Sequence, residues 1–182
     1  MLRLLYRLIF KLIGWKIEGS FPTDIKKFIV AVAPHTSNWD FVIGVLARSV
    51  LNLQKAKFLG KDSLFKPPFG WLFRAMGGHP VNRSKNNDMV EQVAAIFDRH
   101  DEFYLGLAPE GTRQKVEKLR TGFYYIAKRA NVPIIPVGFD FQLKTVVVGK
   151  LFYTTDNFDL DMEQLLDFYK KIKGKNPKLG LH

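Results

Sequence analysis

The sequence predicts an α/β fold: one domain built on a mixed, mostly parallel sheet flanked by helices, with an amphipathic helix at its N-terminus. Three observations lead there. Short apolar runs recur at 28–33, where β-branched residues are frequent, at 103–108 and at 134–139, the pattern of strands buried on both faces. Segments with helical apolar spacing lie between them, and such alternation belongs to sheets with helices on both sides. Finally, 182 residues fill one core comfortably but not two, and no repeat or linker divides them. Residues 1–182 therefore read as a single domain, with 1–18 an amphipathic surface segment, 28–140 the functional core and 174–182 a loose basic tail.

Each element has its own reason. Residues 2–13 form a helix broken by Gly14, in which Arg3, Arg7 and Lys11 make one cationic stripe and leucines, isoleucines, Tyr6 and Phe10 fill the rest. Like charges four residues apart repel, which an anionic surface relieves. A cationic stripe beside a broad apolar face is the form of a helix lying in a membrane interface. A core helix with its basic side in water is the plainer reading. The run at 28–33 is a strand stopped by Pro34, followed by a helix over 41–51 and a strand at 56–59. After an aromatic, proline-marked segment, KPPFGWLFRAMGG, comes a strand around 80–82, and Asn87 or Asp88 is placed to cap the next helix. Further strands fall at 103–108, 134–139 and 145–148, and helices at 122–130 and 161–172.

Composition narrows the function. Hydrophobic residues make up 47% and charged residues 25%, which is globular rather than disordered. The net charge of +11 implies an anionic partner: nucleic acid, an anionic membrane face or a phosphate-bearing substrate. A nucleic-acid module predicts basic residues interleaved with exposed aromatics or a binding motif; here the aromatics fall within apolar runs, so no nucleic-acid partner is expected. With no cysteine there is no disulfide, thiol nucleophile or thiolate metal site. The histidines at 35, 79, 100 and 182 lack zinc spacing, so no metal is implied. No stretch approaches the roughly 18 apolar residues of a spanning helix, and the N-terminal run, interrupted by cations, is not read as a signal peptide.

Four short blocks hold the chemistry-bearing residues. PHTSNWD, at 34–40, lies just past a buried strand, where ligand sites of α/β sheets gather. Asp40, folding back on His35, would fix its tautomer and stabilise an imidazolium. The same residues also read as a histidine at a helix start with Asp40 as a first-turn acid. APEGTR, at 108–113, offers a glycine for close backbone approach and, in Arg113, a fork suited to phosphate or carboxylate. It reads equally as a turn with a surface Glu–Arg pair. GGHPVNR, at 77–83, ends in Arg83 and holds His79, a histidine of position rather than chemistry. VPIIPV, at 132–137, carries two prolines that cannot donate, the mark of an edge strand or one lining a cavity. No Ser or Cys is placed to serve His35, so its proton would come from a hydroxyl of the substrate.

These blocks, in this order, resemble those of the glycerolipid (lysophospholipid) acyltransferase superfamily typified by 1-acylglycerol-3-phosphate acyltransferases. His35 to Asp40 is similar to its His-x4-Asp block, Gly78 to Arg83 to the second, Pro109 to Arg113 to the third and Val132 to Val137 to the fourth. Gly60-Lys61 and residues 64–70 are similar to the connecting segment. The resemblance implies transfer of a fatty acyl group from acyl-CoA or acyl-carrier protein, as co-substrate, to a hydroxyl of a lysophospholipid such as 1-acylglycerol-3-phosphate. It implies His35 as general base with Asp40 as its partner. Arg83, Glu110, Gly111, Thr112, Arg113 and Lys61 would hold the acceptor, and Val132, Pro133, Ile134 and Pro136 would border the acyl pocket. No bound cofactor is implied. The expected setting is an anionic membrane surface, peripheral and on the cytoplasmic side. Pro34 and Gln114 depart from the usual pattern, which leaves another lysophospholipid or a lyso-aminolipid open as acceptor, and a non-catalytic membrane-binding protein of this fold remains the alternative.

Overall fold

The computed structural model describes residues 2–81 and 89–181. Its centre is a seven-stranded sheet, β1 (Lys16–Glu18), β2 (Lys27–Val32), β3 (Lys57–Lys61), β4 (Gly78–Val81), β5 (Phe103–Leu107), β6 (Ile134–Asp140) and β7 (Thr145–Val148), in the order β1-β7-β6-β2-β5-β3-β4. Every pairing is parallel except β6 with β7. The helices are α1 (Leu2–Leu12), α2 (Trp39–Val50), α3 (Gly70–Ala75), α4 (Met89–Asp98), α5 (Gly122–Ala130) and α6 (Phe158–Lys170). The expected α/β class and mostly parallel sheet are what the chain adopts.

Strand periodicity distributes the core. Along β2, Phe28 and Val30 face a layer with α1 and α2, while Ile29 and Ala31 face a layer with α4, α5 and α6. Both faces are covered, which is why β2, β5 and β6 read as near-continuous apolar runs rather than alternating ones.

Four features differ from the sequence reading. β1 was not expected; three residues, two of them charged, carry no pattern, and pairing with β7 makes them a strand. β6 is not an edge strand, for it lies between β2 and β7. The Ile134 N–H reaches Phe152 and the Gly149 N–H reaches the Pro136 carbonyl, so the missing N–H of Pro136 falls in the gap between that bridge and the β7 ladder. A proline sits there without removing a ladder bond.

The tail over 174–182 is not loose, up to the last described residue. Asn176 donates two hydrogen bonds to Thr36, from its N–H to Thr36 Oγ1 at 3.1 Å and from Nδ2 to the Thr36 carbonyl at 2.8 Å. A Cβ on Gly174 would stand 2.9 Å from Thr36 Oγ1, so the chain passes in close contact. Leu181 is buried with the α4–α6 layer. Lysine content argued for solvent, yet buried polar groups such as those of Thr36 need partners, and Asn176 supplies them. Helix α6 also starts before 161, because the Asn157 side chain caps it by accepting from the Leu160 N–H. The expected cap at Asn87 or Asp88 lies outside the described residues, as does Asn82.

Candidate active site

Strand β2 ends at Val32 and the chain turns through residues 33–38 into α2, which sets His35 at the carboxyl end of a central strand. Asp40, in the first turn of α2, is 2% exposed and gathers three donors on one oxygen. His35 Nδ1 lies 3.1 Å from Asp40 Oδ2, and the Thr36 and Ser37 N–H groups each donate to it at 2.8 Å. Arg113 Nε, which can only donate, lies 3.2 Å from His35 Nε2. Nδ1 therefore carries the hydrogen, and Nε2 keeps its lone pair. Of the two sequence readings of this block, the paired one is realised. Asp40 holds the loop and orients the ring at once.

The second strand-end loop follows β5. The His35 N–H donates to Glu110 Oε1 at 2.8 Å, and Glu110 is 1% exposed. Its carboxylate thus lies behind His35 and not on a substrate-facing wall, a correction to its expected place among acceptor ligands. Burial pushes the Glu110 carboxyl up from the ordinary carboxylate range; the His35 N–H and ring pull it down, and the charge of Asp40 adds to the rise. Glu110 Oε2 and Asp40 Oδ1 are buried without a partner among the described residues. Gly111, at φ 65°, turns the chain outward, and a Cβ there would meet the Arg120 side chain at 2.8 Å.

Two hollows meet at His35. The inner one, about 280 Å³, is apolar, walled by residues including Val30, Val32, Val45, Leu107 and Val137. Asp40 and Arg48 of α2 both line it, and eight helical residues at 1.5 Å each make that run about 12 Å. At its far end the Arg48 guanidinium is bonded to the carbonyls of Leu53, Gln54 and Met76. The outer hollow is an open groove of about 1020 Å³ that contains His35, Gly111, Thr112, Arg113 and Arg120. Arg113 Nε donates to His35 Nε2 at 3.2 Å.

The expected residues divide. His35, Asp40, Gly111, Thr112 and Arg113 converge. The side chain of Lys61 and all of Arg83 lie outside the described residues. Val132, Pro133, Ile134 and Pro136 do not border the cavity; Val137 does. The reason is strand alternation: Ile135, Val137 and Phe139 face the α1/α2 layer with the hollow, whereas Val132 and Ile134 pack into the opposite layer. Arg120, Arg48 and the Asn176–Thr36 latch went unseen. Arg120 stands beyond the third block's last residue, and the other two act through contacts distant in sequence.

Residues 16–140, well over half of the chain, match the sequence profile of the Acyltransferase family. The chain belongs to the acyltransferase family. The chain is 31% identical over 138 residues to the 1-acyl-sn-glycerol-3-phosphate acyltransferase of Haemophilus influenzae, covering 71% of the chain and 55% of that protein. It is 31% identical over 134 residues to the Escherichia coli protein of the same name, covering 69% and 53%. It thus spans about half the length of these relatives. The crystal structure of the 1-acyl-sn-glycerophosphate acyltransferase from Thermotoga maritima shares this chain's fold, with a TM-score of 0.66 at 18% identity over 93% of this chain and 75% of that one. Among the described residues no helix is long and apolar enough to cross a membrane.

Proposed function

We propose that this acyltransferase moves a fatty acyl group from acyl-CoA or acyl-carrier protein to a free hydroxyl of a lysophospholipid such as 1-acylglycerol-3-phosphate. The observation that carries the reading is the position of His35 Nε2, where an apolar hollow meets a cationic groove. The hollow suits an acyl chain and the groove a phosphate-bearing head group. In the reaction, Nε2 takes the acceptor's hydroxyl proton as the oxygen attacks the thioester carbonyl. A C–O bond forms, the C–S bond breaks, and the proton on Nε2 passes to the leaving sulfur. Asp40 holds the imidazolium between those steps. General-base assistance of this kind contributes about 10²–10⁴-fold. The names of the Haemophilus and Escherichia relatives favour 1-acylglycerol-3-phosphate over other acceptors.

The site of action in this reading is an anionic membrane face, peripheral and cytoplasmic. Helix α1 supports it, because Leu4, Leu5, Leu8 and Leu12 are exposed rather than packed, Leu12 at 75%. A helix with leucines in water and Tyr6, Ile9 and Phe10 against the protein has a second apolar face to bury. Arg7 is withdrawn from the expected cationic stripe, bonding Val50 and Asn52, while Arg3 and Lys11 stay exposed. Trp39, Phe69 and Trp71 are further exposed apolar groups, and the net charge of +11 favours an anionic leaflet.

The test is acyl transfer on anionic vesicles with both donors and a panel of lysolipid acceptors, run beside folded His35→Ala. Product that falls by at least about 10²-fold in the variant is the expected result. Equal rates would remove His35 from the chemistry, and lipid binding without transfer by either protein would favour a non-catalytic membrane-binding role.

A further inference from the structure

The lone pair that a general base needs is occupied in this structure. Arg113 Nε–H points at His35 Nε2, 3.2 Å away, while Nδ1 is held on Asp40. A guanidinium only donates. Once Nε2 takes a proton it too becomes a donor, and two donors cannot share a hydrogen bond. The Arg113 contact must therefore break before any hydroxyl gives up its proton to His35.

What would draw Arg113 away is legible in the groove. Arg113 and Arg120 line it together, both are exposed, and neither has a carboxylate partner among the described residues. The acid beside them in sequence, Glu110, is buried and turned to the His35 N–H. A bidentate, charge-assisted bond to an oxyanion is stronger than a bond to a neutral ring nitrogen.

We propose that Arg113 masks the base in the free protein, and that a phosphate-type anion entering the groove beside Arg120 releases it. This rests on the reading of His35 as a general base. Its consequence is discrimination between acceptors. Water reaching a donor-loaded site finds no free base, so its oxygen cannot add to the thioester carbon with loss of the thiol. An acceptor that carries its own phosphate unmasks His35 as it binds. Arg113 is then a positioning residue that acts through His35 before it touches the acceptor.

The experiment reads the lone pair directly. Carbethoxylation of His35 by diethyl pyrocarbonate is followed by mass spectrometry at fixed pH, in sodium chloride or in inorganic phosphate of equal ionic strength. The exposed His79 and His100 serve as internal references. Wild-type His35 is expected to react about tenfold faster in phosphate, the scale of one charge-assisted bond. Arg113→Gln is expected to react fast in both salts and, without acceptor, to hydrolyse acyl-CoA several-fold faster than wild type. Equal wild-type rates in the two salts would overturn the proposal without recourse to any variant, and so would slow modification in Arg113→Gln with an unchanged near-ultraviolet spectrum. A phosphate-dependent rate in a protein that transfers no acyl group would uphold the masking and sink the acyl-transfer reading alone.

Discussion

Asp40 Oδ2 and Glu110 Oε1 together decide where His35 stands, one through its ring and one through its backbone. Asp40→Asn keeps the volume but brings an amide that cannot accept all three donors, so acyl transfer should fall by about 10²–10⁴-fold in a kcat measurement on folded protein. Glu110 predicts a pH effect of the opposite sign to most carboxylates. Its carboxyl is raised in the folded state above the ordinary 4.5, so the fold favours the protonated form. That contribution is fully present below 4.5 and is lost as pH climbs through the raised value. Glu110→Gln, which keeps an acceptor for the His35 N–H, should therefore gain stability relative to wild type between pH 4.5 and neutrality. Denaturant midpoints at a series of pH values check it; a constant difference across that range would contradict the sign. Of these residues the sequence made His35, Asp40 and Arg113 legible, because their types and spacing are unusual. The burial of Glu110 was not legible, since a carboxylate beside Arg113 reads as exposed until the β2 and β5 loops are brought together.

At the scale of elements, strand alternation and the tail's docking govern what the site contains. Because Val137 and not Pro136 faces the hollow, Val137→Phe should shift preference toward shorter acyl donors, while Ile134→Val, in the opposite layer, should leave chain length unchanged. A competition assay with mixed acyl-CoA lengths distinguishes them. Asn176→Ala keeps the backbone N–H bond to Thr36 Oγ1 but takes the Nδ2 donor from the Thr36 carbonyl, and a buried polar group left unpaired costs about 1–3 kcal/mol. Thermal unfolding should register that loss, and kcat should fall with it because Thr36 adjoins His35. Strands β2, β5, β6 and β7 were readable from apolar runs, and α2, α4, α5 and α6 from spacing. β1 was not readable, for a three-residue edge strand exists through its partner alone.

At the scale of the whole molecule, the chain sets leucines outward on α1 and keeps a net charge of +11. Replacing Leu4 and Leu8 together by Asp should lower partitioning onto anionic vesicles by at least about tenfold, given roughly 1.5–3 kcal/mol for each buried leucine, without changing the unfolding midpoint. Sedimentation with vesicles measures it. Raising salt should weaken the wild-type association as well, because an electrostatic share is screened. A variant that binds as wild type does would place the membrane contact elsewhere, with Trp39 and Trp71 the next surfaces to alter.

Letters alone sufficed for the α/β class, the single domain and the His35–Asp40 pair. Each of these rests on local pattern or on residue type, neither of which needs three-dimensional neighbours. Packing had to supply the rest: which face of β6 meets the hollow, that Glu110 lies behind the base, that Asn176 latches Thr36, and that Arg113 rests on Nε2. Those facts join residues 75, 78 and 140 positions apart. Contacts of that range follow from the order of strands in the sheet, which no short window of sequence contains.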